Sequence, residues 1–233
     1  MLRMTASYDD PLMYLPRKYV QEFAKRSVIF DSDRPSKGLY SILLGRVRIA
    51  STAEDGRQTT TRILVKEGLF GESSLVGPNN HAYSAVALDN VSLMSWTSDE
   101  IEAQIERQPR LGIALSKYMV QQCIDLQDRI ESMAVYNTPE RVGLALLQLA
   151  ASLGSPMPDG ATRISTLTHH TIAEYVGTSR EIVNLQLNKL RRLGMVVYSR
   201  KFIDVYVSAL QETLRAQGVR LPQRGSGERA LHA

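Results

Sequence analysis

The chain has 233 residues, 43% of them hydrophobic and 22% charged, the proportions of a soluble globular protein with room for one large or two small domains. Its single cysteine, Cys123, excludes an intrachain disulfide and any Cys-built zinc or iron–sulfur cage, and makes a reducing cytoplasm the expected compartment. The net charge of +4 is unevenly spread: from Asn137 onward 12 Lys and Arg face 7 Asp and Glu, while residues 1–136 hold 16 against 17, which hints at a polyanion partner for the C-terminal part.

Residues 1–27 read as a short helical or irregular lead-in, with acids and prolines where a signal peptide would need an unbroken apolar run. No window reaches the roughly 18 apolar residues of a membrane span. From Val28 to Trp96, short apolar or alternating runs (GLYSILLGRVRIAST, TTTRILV, YSAVALDNVSLMSW) alternate with turn signals at Gly38, Gly45, Glu54–Gly56, Gly68, Gly71 and Gly77–Asn80. That rhythm predicts a compact antiparallel β-barrel or sandwich. In RVRIAST, alternation places Val47 and Ile49 on one face and Arg46, Arg48 and Ala50 on the other. Trp96 is expected in the core at the barrel's end.

At Thr97 the period lengthens. Thr97 or Ser98 followed by acids is an N-cap signature. Pro109 then opens a long helical pattern to about Val135, along which Leu115, Met119, Cys123, Leu126, Ile130 and Met133 recur at steps of three and four. The stripe is close to a heptad seam, so a dimer interface is predicted, packing on the chain's own barrel being the alternative. Cys123 reads as a small buried hydrophobe on it. YNTPER marks a boundary, with Pro139 in a first helical turn. The expected organisation is a β-domain over 1–108, a dimerisation helix over 109–136, a second domain over 137–220 and a tail over 221–233.

In that third segment ERVGLALLQLAASLG is a buried helix ending at Gly154, SPMPDGATR a loop and ISTLT a short strand. Thr168 caps a helix carrying Ile172, Ala173 and Val176 inward. Gly177 stands where two helices must turn sharply and a positive φ is needed. Thr178 or Ser179 caps the next helix, whose buried face is Ile182, Val183, Leu187 and Leu190. The spacing fits a helix-turn-helix. Arg180, Glu181, Asn184, Gln186 and Asn188 then face outward. Arg180 suits a guanine edge and Glu181 cytosine N4, although a plain surface Arg–Glu pair is the bland alternative. Lys189, Arg191 and Arg192 suit phosphates or the helix dipole. VVYSRKFIDVYVS reads as a wing with Ser199, Arg200 and Lys201 at its tip, followed by one more short helix.

A β-domain, a long helix and a winged helix-turn-helix in this order resemble the Crp/Fnr family over Val28 to Leu214, most specifically in LFGESSLVG, AYSAVA and IAEYVGTSREIVNLQLNKLRRLGMV. The resemblance implies an α+β fold with a cyclic-nucleotide-binding-type β-barrel, and a homodimeric transcription regulator placing two recognition helices about 34 Å apart in successive major grooves. RNA polymerase is a further implied partner; a membrane is not. Arg180 and Glu181 match the family's base readers, and Leu185 stands where the cyclic-AMP-responsive branch places a second reading arginine. With Asn184 these form the base-reading set. Thr168, His169, His170, Ser179, Lys189, Arg200 and Lys201 form the phosphate-contacting set, the histidines strengthening below about pH 6.5 if they contact phosphate at all.

The effector pocket by resemblance is Gly71, Glu72, Ser73, Tyr83, Ser84, Leu126 and Gln127. Tyr83 takes the place of the arginine that neutralises a cyclic phosphate, and Leu126 and Gln127 that of the hydroxyl pair meeting adenine. A buried phosphate without its guanidinium is costly, so cyclic AMP bound in the usual way is disfavoured; Gly71 and Glu72 can equally persist as turn and core residues. No other cofactor is implied: cluster cysteines are lacking, and haem is disfavoured because His81 is the one histidine of the β-region. A ligand-free, constitutive DNA binder is the nearest alternative. A cupin-type metalloenzyme, which needs several histidines in the barrel, is the remote one, so no enzymatic activity is expected.

Overall fold

The structure is a computed structural model and describes residues 10–53, 58–76, 83–165, 167–199 and 201–221. The chain divides into two compact units, Met1–Tyr118 and Met119–Ala233.

In the first unit, eight strands form two antiparallel sheets of four. Strands β1 (Gln21–Phe23), β8 (Val91–Trp96), β3 (Leu39–Leu44) and β6 (Leu69–Phe70) lie side by side in that order, and β2 (Val28–Phe30), β7 (Tyr83–Ala87), β4 (Val47–Thr52) and β5 (Gln58–Leu64) make the second. Among the described residues the hydrogen bonding closes no barrel. The sheets instead share one apolar core, in which Phe30, Tyr40 and Phe70 stack with ring centroids 5.1–6.0 Å apart among Ile42, Val47, Ile49 and Leu93. A turn of 3-10 helix at Pro11–Met13 agrees with the short helical or irregular lead-in expected there, and strand β1 adds a paired segment that was not expected. Ala50, expected on the outer face, is fully buried, because the β4–β5 register shifts between Ile49 and Ala50. Such a bulge turns the next side chain to the other face.

A second core caps this unit. Leu39, Leu69 and Trp96 pack with Ile101 of α1 (Ser98–Arg107) and with Leu111 and Leu115 from the first turns of α2 (Arg110–Val135). Trp96 lies there as expected, its indole N–H donating to the Pro16 carbonyl at 2.8 Å. Thr97 caps α1 in a reciprocal box with Glu100, which satisfies two backbone donors at once.

In the second unit, α3 (Thr138–Leu153) begins at a capping box of Asn137 and Glu140 with Pro139 in its first turn, and its Val142–Leu147 run is buried. Gly143 lets α6 (Val207–Ala216) approach closely: an added Cβ would stand 3.0 Å from Leu214. A four-stranded sheet in the order β11 (Val196–Tyr198), β12 (Phe202–Val205), β10 (Thr162–Ser165), β9 (Gly154–Pro156) completes the unit with α4 (His169–Val176) and α5 (Arg180–Arg192). Part of the expected loop SPMPDGATR is thus strand. Arg163 grips the buried Asp204 through two bonds of 2.6 and 2.7 Å, joining β10 to β12.

Candidate nucleic-acid interface

The two helices of the turn are built by local chemistry. The Thr168 hydroxyl accepts from the Thr171 N–H at 3.1 Å and starts α4. Gly177 takes φ 74°, and its N–H and that of Thr178 both donate to the Ala173 carbonyl, ending α4. Two residues later the Ser179 hydroxyl accepts from the Ile182 N–H and starts α5. Ile172, Ala173 and Val176 pack inward from α4, and Val183 and Leu187 from α5.

This leaves Arg180, Glu181, Asn184 and Leu185 exposed along one side of α5. Two inward assignments change. Ile182 is 38% exposed and Leu190 only half-buried, because 13 residues seated on Val183 and Leu187 bury a narrower stripe than periodicity suggests. Leu185 is 65% exposed, so Ile182 and Leu185, three residues apart, form an apolar patch beside the charged pair. The Glu181 carboxyl lies below the usual range, held there by its own backbone N–H, then by the Ser179 hydroxyl and the Arg180 charge, so it is an acceptor at neutral pH.

Gln186 and Asn188, expected outward, are half-buried. Asn188 is a strut: its Oδ1 accepts from Arg191 and from the Tyr198 hydroxyl, each at 3.0 Å. Arg191, expected to suit phosphates or the helix dipole, also lies 5.3 Å over the Tyr198 ring and helps brace α5 against the wing. Tyr198 escaped sequence reasoning, although an aromatic next to a wing turn is a signal for such bracing. His169 sets its ring edge-on to Tyr198 at 5.4 Å. Burial, then the Arg180 charge, pulls its pKa down, so the expected gain of charge begins further below neutral than an ordinary histidine's. His170 lies 3.4 Å from Glu174. Thr168, Ser179, Lys189 and Lys201 are exposed, with the Lys201 N–H bonded to the Ser199 hydroxyl; Arg200 lies outside the described residues.

Of the effector-pocket set, Gly71 has φ 87°, and a Cβ there would meet the Gly38 carbonyl oxygen at 2.4 Å, so backbone packing alone demands the glycine. It opens a 3-10 turn over Glu72–Val76 that contains Ser73. The Glu72 carboxylate is ion-paired with Arg62 of β5, a partner that sequence reasoning missed. The Ser84 hydroxyl donates to the Ala50 carbonyl at 3.5 Å, and Tyr83 is 42% exposed. His81 lies outside the described residues. Leu126 and Gln127 are both exposed on α2 of the second unit.

Along α2, Leu115 belongs to the core of its own unit and is not an open seam position. Met119 is half-buried, whereas Cys123, Leu126, Ile130 and Met133 are exposed, Ile130 by 66%. Cys123, expected as a small buried hydrophobe on this stripe, is not covered by its own chain. Val120 and Ile124 add to the uncovered apolar surface.

Two families match along the chain: the cyclic nucleotide-binding domain over residues 20–108 and the Crp-like helix-turn-helix domain over residues 140–213. A CRP-like cAMP-activated global transcriptional regulator of Mycobacterium tuberculosis is 30% identical over 176 residues, 75% of this chain and 78% of that one. The chain belongs to the Crp/Fnr family. Among other Crp/Fnr-type relatives, a global nitrogen regulator of Nostoc is 29% identical over 80% of this chain and 85% of its own length. The crystal structure of a CRP/FNR-family transcriptional regulator from Thermus thermophilus superposes with a TM-score of 0.70 at 26% identity, covering 84% of this chain and 98% of that one. The chain is thus a Crp/Fnr-type DNA-binding transcription regulator, and the relatives named here are regulators. No helix among the described residues is long and apolar enough to cross a membrane.

Proposed function

We propose that the protein is a cytoplasmic homodimer that reads a two-fold-related DNA site with α5, controlled by an effector other than cyclic AMP bound in the family's usual way. The observation that carries this is the exposed row Arg180, Glu181, Asn184 and Leu185 on a helix anchored from behind by Val183 and Leu187. Arg180 can donate to guanine N7 and O6, Glu181 can accept from cytosine N4, Asn184 suits an adenine edge, and Leu185 suits a thymine methyl. Thr168, His169, His170, Ser179, Lys189 and Lys201 are the proposed phosphate ligands around that row, with Arg200, outside the described residues, assigned the same role from the sequence. The uncovered apolar residues Cys123, Leu126, Ile130 and Met133, with Met119, form the seam on which a second copy packs. RNA polymerase is the further partner of a regulator so bound.

Against cyclic AMP stands the condition of the pocket: Glu72 is engaged by Arg62 and the Ser84 hydroxyl by backbone. A phosphate would enter at the cost of desolvation, with Tyr83 supplying no positive charge. The same ion pair supports a second reading, a dimer that binds DNA with no ligand. Selection of bound sites from random DNA, with and without cell metabolites, tests both. A palindromic site recovered only with metabolites supports gating, one recovered equally without them supports the constitutive reading, and no enriched site refutes DNA reading. Titration with cyclic AMP is expected to give no isotherm at micromolar ligand; one that saturates there overturns the reading of Tyr83.

A further inference from the structure

Helix α4 ends on carbonyls with no intrahelical donor, as every helix does. One of them has an unusual partner. Arg129, from the C-terminal half of α2 in the same compact unit, donates through Nη2 to the Tyr175 carbonyl at 2.6 Å. Its guanidinium also lies 4.6 Å from the centre of the Tyr175 ring. The Tyr175 hydroxyl in turn donates to Gln148 Oε1 on α3 at 3.3 Å. One turn beyond Arg129 on α2, the Met133 methyl stands 3.9 Å from where a Cβ on Gly177 would lie. The end of α2 thus bonds α4 at its last turn and lies close to Gly177, the C-cap that turns the chain towards α5.

We propose that Arg129 is a positioning residue for DNA reading: it pins α4 to α2, so that the long helix sets the orientation in which α5 is presented. The unit does not need this arginine in order to fold. Helix α4 already has its Thr168 cap, its left-handed Gly177 and buried Ile172, Ala173 and Val176. Burying a guanidinium costs solvation that a methionine in the same cleft would not lose, and desolvation accordingly pulls the Arg129 pKa down. What arginine adds is direction. A planar fork bonded to a helix-end carbonyl and laid on an aromatic face fixes both the distance and the rotation between two helices, which neither lysine nor methionine can do.

The pin rests on the reading that α5 contacts DNA, and the experiment separates the two. The full-length protein and its Arg129→Met and Arg129→Lys variants are titrated with a selected site and with random DNA over a range of salt, alongside melting temperature and oligomeric state. For Arg129→Met, affinity for the selected site is expected to fall about tenfold. Random-DNA affinity, its salt slope, the melting temperature and the dimer should stay as they are, because the phosphate-facing side chains are untouched. Arg129→Lys should fall between the two, retaining the charge and losing the fork. An unchanged ratio of selected to random affinity overturns the pin, as does an equal loss on both DNAs with a lowered melting temperature or a dissociated dimer. If Arg129→Met does not fold, an unchanged ratio in Arg129→Lys overturns it alone. If the unaltered protein shows no sequence preference, DNA reading itself has failed.

Discussion

Leu185 gives the sharpest test of base reading, because an apolar side chain can recognise only one feature of a major-groove edge, the thymine 5-methyl group. The perturbation is therefore made on both sides: Leu185→Ala in the protein, and deoxyuridine for thymine in the DNA, which removes that methyl alone. Leu185 is 65% exposed, so about two-thirds of its side chain is available for burial against a base. Complete burial of a leucine contributes roughly 1.5–3 kcal/mol, which makes the available contact about 1–2 kcal/mol and the affinity change about five- to thirtyfold. Ile182, three residues earlier and 38% exposed, belongs to the same patch and is left in place as the internal control for general apolar loss. The assay is fluorescence anisotropy on a labelled half-site pair in which each thymine is replaced in turn. One replacement should weaken the unaltered protein about fourfold, the roughly 0.8 kcal/mol of one buried methyl group, and leave the Leu185→Ala variant nearly unaffected, since the partner of the methyl is already gone. If no replacement matters to the unaltered protein, or if one costs both proteins equally, Leu185 does not read a methyl.

Three further outcomes are expected. Arg180→Ala should lower affinity for the selected site about five- to 150-fold and relax preference at one guanine, measured by competition among single-base variants; an equal loss on random DNA would contradict base reading. Lys201→Ala should weaken binding to all sequences alike and flatten the dependence of log affinity on log salt by about one unit, so an unchanged slope removes the wing tip from the phosphate contacts. Gly177→Ala meets no steric obstacle, since the nearest atom to the new Cβ is the Met133 methyl at 3.9 Å, but it places a side chain at φ 74°. The left-handed conformation costs roughly 1–2 kcal/mol for a residue with a Cβ, so the second unit should melt several degrees lower in calorimetry, and an unchanged midpoint would show that the turn relaxes.

The features legible in the sequence are those decided within a few residues. Thr168 announces its cap, and Thr97 and Ser179 each announce theirs as one of two adjacent candidates, because a short side-chain acceptor before a helix satisfies donors two or three positions on. Gly177 announces its turn because one conformation excludes nearly every other residue. Periodicity is a weaker guide wherever it has to say how far burial extends. It marks a stripe from Leu115 to Met133, yet it holds no information on where the chain's own core stops covering that stripe. Leu115 is covered, whereas Cys123 and Ile130 are not. The same limit misplaces Ile182, one step round the helix from the buried Val183. Ala50 fails for a different reason: a bulge against β5 breaks the alternation on which the assignment relies.

Least legible are the polar pairs made across the fold, and these change the functional reading most. Nothing near Glu72 indicates that its carboxylate already has a guanidinium partner, since Arg62 comes from another strand. Reading Tyr83 in isolation therefore strips the pocket of positive charge, when an arginine is present and committed to Glu72. The distinction matters for gating. If the proposed gating is by an anionic effector at this site, that effector would have to compete for Arg62 against the Glu72 carboxylate, and so would have to offer more than one charge-assisted bond to displace it. Likewise Asn188, Arg191 and Tyr198 look in sequence like three independent surface residues, whereas together they brace α5 against the wing. A helix braced at its far end by the wing and held through α4 near its start has little freedom to adjust to a mismatched site. Its specificity then resides in the geometry of that frame as much as in the side chains that touch bases.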